Sequence, residues 1–163
     1  MKILYFGTQN SGKSLLAQNH ILSISQDKPY YIATYNNNFE DHYMQQKIEQ
    51  HNISRDNNFI LIEEPYDLQK VIYPNNTYLI DCISMWLFNN NDKNFDDIIN
   101  QIINICKIDA KIIFVLNDIS GGLVPLDNNT KEFVKRSALL GQKLASLCNE
   151  VYEVKYGLSV KLK

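Results

Sequence analysis

The 163-residue sequence predicts an α/β fold: a mostly parallel sheet flanked by helices, with an antiparallel edge at the C-terminus. Three observations carry that expectation. Short apolar runs alternate with stretches of helical spacing along the whole chain, the pattern of parallel strands joined by crossover helices. The first run opens into Gly7-Thr8-Gln9-Asn10-Ser11-Gly12-Lys13-Ser14, a G-x-x-x-x-G-K-S sequence set between a strand and a helix. The last two runs, Val151 to Val154 and Ser159 to Leu162, alternate in polarity on either side of Gly157, as in a closing hairpin.

The elements follow in order. Lys2-Ile3-Leu4-Tyr5-Phe6 reads as a buried strand, and Leu15 to Leu22 places apolar residues at helical spacing after the glycine-bounded loop. Asp27-Lys28-Pro29 breaks that helix, and Tyr30-Tyr31-Ile32-Ala33-Thr34 forms a second strand. From about Asp41 to His51 the composition is helical, with Met44, Ile48 and His51 on one face. Phe59-Ile60-Leu61-Ile62 is a third strand ending in Glu63-Glu64-Pro65, and a short helix spans Tyr66 to Ile72 before Pro74. Thr77-Tyr78-Leu79-Ile80-Asp81 is an apolar strand ending in an acid. Helices are expected over Phe95 to Cys106 and Asn129 to Cys148. Between them, Lys111 to Leu116 is a continuous apolar run of the kind buried on both faces of a sheet. Sheets of this class bind ligands at the carboxyl ends of their strands, so Gly7, Thr34, Glu63, Asp81 and Asn117 are expected to gather along one edge.

Length and composition fit one domain, residues 1–163, with 45% hydrophobic and 21% charged residues. A net charge of −2 gives no electrostatic reason for a nucleic-acid or membrane partner, so any phosphate binding must be local. Cys82, Cys106 and Cys148 are far apart and lie in apolar stretches, which points to buried free thiols rather than a disulfide or zinc site. No signal peptide or membrane-length apolar run is apparent, and the expected location is the cytosol.

The glycine-bounded loop is a P-loop, in which backbone N–H groups and a helix N-terminus surround a phosphate chain. In that reading Gly7, Thr8, Gln9, Asn10, Ser11 and Gly12 cradle the nucleotide. Lys13, an exposed loop cation, reaches its β- and γ-phosphates, and the Ser14 hydroxyl ligates Mg²⁺. Asp81 stands where a second Mg²⁺-organising carboxylate belongs, its alternative being an N-cap for Ile83 to Leu87. The GTPase class wants N-K-x-D after a core strand, which Asn117-Asp118-Ile119-Ser120 does not supply. A small kinase using ATP or GTP is the best class from the residues alone, and a non-catalytic GTP-binding regulator is its rival.

Further segments carry a resemblance. GTQNSGKS, YIATY, Asp41-x-x-Met44-x-x-Lys47-Ile48-x-x-His51, Arg55, Glu63-Glu64-Pro65-Tyr66-Asp67-Leu68, LIDCISMWLFN, Asn117-Asp118-Ile119-x-x-Gly122-Leu123-Val124-Pro125 and the ending Gly157 to Lys163 run in order along the chain. Together they resemble the bifunctional adenosylcobinamide kinase/adenosylcobinamide-phosphate guanylyltransferase family. The resemblance implies a P-loop NTPase-like fold, usually a homotrimer. It implies phosphorylation of the aminopropanol hydroxyl of adenosylcobinamide by ATP or GTP, then GMP transfer from GTP through a guanylylated histidine. It places that histidine at His51, with Arg55 to neutralise phosphate charge and Glu63 near the nucleotide to assist. His20 and His42 are read as ordinary surface histidines. The chain departs from the family pattern at Thr8-Gln9-Asn10, at Asp118 and Ser120, and along the last long helix, where Lys135, Ala138 and Gly141 replace an acid, a glycine and an asparagine.

Overall fold

The computed structural model describes residues 1–36, 57–122 and 125–163. Among these, seven strands form one sheet: β1 (Lys2–Gly7), β2 (Tyr30–Ala33), β3 (Ile60–Glu63), β4 (Thr77–Asp81), β5 (Lys111–Asn117), β6 (Glu150–Lys155) and β7 (Leu158–Lys161). Their spatial order is β3-β2-β4-β5-β1-β6-β7. Every neighbouring pair is parallel except β6 with β7, the expected antiparallel hairpin. The described helices are α1 (Lys13–Ile24), α2 (Ile83–Asn89), α3 (Phe95–Lys107) and α4 (Asn128–Leu147).

The centre of the sheet is β5, and its unbroken apolar sequence has a simple cause. Ile112, Phe114 and Leu116 face Trp86, Ile102, Leu140 and Leu144 on one side. Ile113 and Val115 face Ala17 and Ile21 of α1 on the other. With helices covering both faces, Ile112 to Leu116 are all buried, and none of them is polar. Local signals start the helices. The Asn94 side chain accepts the Asp96 N–H at 2.8 Å ahead of α3, and Asp127 accepts the Thr130 N–H at 2.8 Å ahead of α4. At the amino edge of the sheet the Lys2 amine donates to the carbonyls of Ile108 and Ala110, both at 2.8 Å, tying the end of α3 to β1.

One expected element is smaller than its sequence suggests. Tyr66 to Ile72 holds only a single 3₁₀ turn, Leu68–Lys70. The Glu64 carboxylate accepts the N–H groups of both Tyr66 and Asp67 at 2.9 Å, and the Gln101 side chain accepts that of Leu68 at 3.1 Å. Side chains satisfy these first N–H groups, but Asp67 at φ −128°, ψ 82° lies outside the helical region, so the turn begins only at Leu68. The expected helix from Asp41 to His51 lies outside the described residues.

Candidate active site

Register brings the strand ends together. Gly7 pairs with Asn117, Asp81 with Val115, and Ala33 with both Asp81 and Glu63. Gly7, Thr34, Glu63, Asp81 and Asn117 therefore line the carboxyl edge of one sheet. His51 and Arg55, with Met44 and Lys47, lie outside the described residues.

The loop from Gly7 to Gly12 has little freedom. A Cβ on Gly7 would overlap the Val154 carbonyl oxygen and lie 2.9 Å from Ser11 Oγ, so only glycine lets β1 leave the sheet here. Gly12 turns into α1 at φ 93°, a left-handed conformation that side chains resist. Thr8, Gln9 and Asn10 are exposed, and the Ser11 N–H donates to the Thr8 carbonyl at 3.2 Å. Ser14 is the second residue of α1 and half-buried.

Lys13 differs from the expectation of an exposed cation: only 5% of it is accessible. It is the first residue of α1. Its amine donates to the Thr8 carbonyl at 3.0 Å. The lysine that was expected to project from the loop is buried, with its amine on a carbonyl of that loop.

Across the edge, Asp81 is half-buried, and the Tyr31 hydroxyl donates to its Oδ2 at 2.7 Å. Tyr31 is 1% exposed, so the carboxylate is oriented by a fixed donor. The alternative of an N-cap fails: Cys82 occupies that position before α2, with no side-chain cap hydrogen bond. A neutral thiol sits beside this acid, because burial and the Asp81 charge push the Cys82 pKa up to about 11. Cys82 is therefore no nucleophile near neutral pH.

Thr34 is fully buried, and its hydroxyl is engaged twice. It donates to the Cys82 carbonyl at 2.7 Å and accepts the Cys82 N–H at 3.0 Å, locking the ends of β2 and β4 together. Glu63 is exposed at the end of edge strand β3. All three cysteines are free, with Cys148 buried and the other two half-buried.

The donor set decides which metal could be held. The described residues contain no cluster of three His, Cys, Asp or Glu side chains, so they build no protein cage. A hydroxyl at Ser14 and a carboxylate at Asp81 are hard oxygen donors. They suit Mg²⁺, which keeps most of its shell as water and phosphate oxygens.

Two features escaped the sequence reading. Tyr31 looks like any apolar strand residue, and only its hydrogen bond to Asp81 distinguishes it. The turn at Tyr156 and Gly157 reads as a remote hairpin, yet the Gly157 N–H donates to the Ser11 carbonyl at 2.8 Å. On the other flank of β1, a cavity of about 270 Å³ opens between α4 and the ends of β1 and β5. It is lined by Phe6, Leu116, Asn117, Asp118, Ala138 and Gly141, among others, and so includes two of the three helix positions that depart from the expected pattern.

Comparison with known proteins agrees with this geometry. The family model described as cobinamide kinase / cobinamide phosphate guanyltransferase matches residues 3–162. The chain is 30% identical to the bifunctional adenosylcobalamin biosynthesis protein CobU of Escherichia coli K12, with all of both chains covered. It is 28% identical to the protein CobP of Pseudomonas aeruginosa, covering all of this chain and 98% of that one. It is 27% identical to CobU of Salmonella typhimurium LT2, again over both full lengths. Among solved structures, the flagellar accessory protein FlaH of Methanocaldococcus jannaschii superposes with a TM-score of 0.55 at 18% identity, covering 99% of this chain and 77% of that one. A Pyrococcus horikoshii OT3 protein gives 0.57 at 12%, covering 99% and 85%. These structures share the fold alone. The full-length match to the family model, carried by a chain whose P-loop opens at the carboxyl edge of a parallel sheet, shows that this chain belongs to the cobinamide kinase / cobinamide phosphate guanyltransferase family.

Proposed function

We propose that the chain phosphorylates adenosylcobinamide with ATP or GTP and then transfers GMP from GTP to the resulting phosphate. The observation that carries this reading is the loop from Gly7 to Ser14, with Lys13 at the start of α1 and Asp81 on the same sheet edge, in a chain that matches the family end to end. In the kinase step the aminopropanol hydroxyl oxygen attacks the γ-phosphorus. The bond to the β,γ-bridging oxygen breaks, and a nucleoside diphosphate leaves. The loop N–H groups and the Lys13 amine hold the phosphate oxygens in place, moving the amine from the Thr8 carbonyl to the phosphates. Ser14 and Asp81 would hold Mg²⁺, which supplies charge neutralisation on the phosphate chain. Glu63, exposed at the end of β3, is placed in the role of assisting the transfer.

In the second reaction an imidazole nitrogen of His51 attacks the α-phosphorus of GTP and pyrophosphate departs. The phosphate oxygen of the acceptor then attacks the same phosphorus, and the imidazole leaves. Arg55 has the role of neutralising phosphate charge. By family resemblance the active form is a homotrimer, which light scattering on the purified protein tests. Among the described residues no helix is long and apolar enough to cross a membrane.

The test is incubation with GTP and Mg²⁺, with and without adenosylcobinamide, followed by chromatography of products and protein. A covalent GMP on the wild type, labile in acid and stable in base, is expected, and His51→Ala should lose it while keeping the kinase reaction. An adduct that persists in His51→Ala moves the nucleophile elsewhere, with His42 next to test. GTP binding without adduct or turnover favours the regulator reading. The cavity beside Ala138 and Gly141 also favours comparing acceptors, since turnover of another alcohol alone would make the chain a small-molecule kinase of different specificity.

A further inference from the structure

We propose that Tyr156, at the tip of the β6–β7 hairpin, is the platform on which the base of the bound nucleoside triphosphate stacks. This inference rests on the P-loop reading and extends it from the phosphates to the other end of the nucleotide.

Topology sets the direction. The acids Glu63 and Asp81 end strands on one side of β1 in the sheet order, and β6 flanks β1 on the other side. A triphosphate lying in the loop with its γ end toward Asp81 points its ribose and base the opposite way. Because β6 runs parallel to β1, the chain leaving β6 emerges at the same carboxyl edge as the chain leaving β1. The hairpin turn therefore stands where the base end of the nucleotide must go.

The turn is fastened to the loop. Besides the bond from Gly157 N–H to the Ser11 carbonyl, a Cβ on Gly12 would come within 3.1 Å of Gly157 Cα. Backbone meets backbone there, with no room for a side chain between, so the position of the turn is referred directly to that of the phosphates.

What the turn presents is a tyrosine with two local disadvantages. Tyr156 and Gly157 have φ of 52° and 78°, the pair of left-handed conformations of a two-residue hairpin turn. The first position of such a turn favours Asn, Asp or Gly, because a bulky side chain resists φ above zero. Tyr156 is also 97% exposed, so its ring gains nothing from the core. Neither the turn nor the packing calls for an aromatic residue at this position. A flat π-face held beside a phosphate loop does have a use, since a nucleobase can stack on it. Leu15, 63% exposed in the first turn of α1, adds a second apolar surface beside the loop. Stacking does not read the hydrogen-bonding edge of a base, so the platform serves ATP and GTP alike.

The experiment separates base from phosphates. Affinities for ATP, GTP and inorganic tripolyphosphate are measured by calorimetry on the full chain, for wild type, Tyr156→Asn and Tyr156→Phe. Asn suits the turn better than Tyr, so Tyr156→Asn should fold with an equal or higher Tm. It should bind both nucleotides about tenfold more weakly. Its tripolyphosphate affinity should stay at the wild-type value, and Tyr156→Phe should bind all three like wild type. Nucleotide binding by Tyr156→Asn at wild-type affinity would overturn the inference. A parallel loss of tripolyphosphate would also overturn it, by showing that the turn shapes the loop rather than meets the base. A wild type that binds tripolyphosphate as tightly as GTP would remove the base platform and leave the P-loop reading standing. A wild type that binds none of the three would remove both.

Discussion

Replacing Lys13 tests the site most directly, and its burial changes which substitution to use. Lys13→Ala removes the charge and also the buried stem. Three methylenes beyond Cβ, at about 0.8 kcal/mol each, make this roughly 2 kcal/mol of lost burial. For a protein of this size that lowers Tm by about 4–8 °C. A loss of activity in Lys13→Ala would then mix catalysis with a loosened loop. Lys13→Met keeps a stem of similar length and removes only the charge. The Thr8 carbonyl that loses its donor belongs to an exposed residue and can turn to water, so Lys13→Met should lose less Tm than Lys13→Ala. Without the cation the transferring phosphate loses one fixed electrostatic contact, worth about 10²–10³ in rate. The assay is kcat/KM for the kinase reaction at saturating Mg²⁺, with thermal denaturation of the same preparations. A Lys13→Met enzyme with wild-type Tm and activity within tenfold of wild type would refute the assignment of Lys13 to the phosphates.

Three other perturbations follow from the described geometry. Asp81→Asn should raise the Mg²⁺ concentration needed for half-maximal activity more than it weakens nucleotide binding, and Tyr31→Phe should do so to a smaller degree because it removes a donor that orients the carboxylate; Mg²⁺ titrations that superpose on wild type would remove both residues from the metal site. Gly7→Ala drives a methyl group into the Val154 carbonyl and should cost roughly 1–3 kcal/mol, read as several degrees of Tm, together with weaker nucleotide binding; an unshifted Tm would mean that β6 yields easily. The Tyr152 hydroxyl and the Lys161 amine hold the Glu150 carboxyl below its ordinary 4.5, so its contribution is complete above that pH and is lost as pH falls through the lowered value. Glu150→Gln should accordingly flatten the fall of Tm with acidification below pH 4.5, and equal slopes in the two proteins would show that the hairpin does not depend on this charge.

Much of the fold was legible because it rests on local signals. The continuous run from Lys111 to Leu116 can be satisfied only between two covered faces, and β5 occupies the middle of the sheet for that reason. The strand Thr77–Asp81 and the helix from Phe95 are bounded by residues that end or cap elements by their own chemistry. Tyr66 to Ile72 was misread in extent: its composition is helical, but the backbone is helical only over Leu68–Lys70, where the Leu68 N–H meets Gln101, distant in sequence.

The sequence by itself determined the class of the sheet, the phosphate loop and the family, since each depends on residue types at fixed spacing along one stretch of chain. Tertiary structure alone decided that Lys13 is enclosed, that Tyr31 orients Asp81, and that the turn at Gly157 touches the loop at Ser11. Those contacts join residues 50 positions apart for Tyr31 and Asp81 and more for Ser11 and Gly157. They arise from strand order and register, which place β2 against β4 and β6 against β1. A hydrogen bond between distant residues leaves no periodicity or spacing in the sequence, because either partner alone is an ordinary tyrosine, aspartate or glycine.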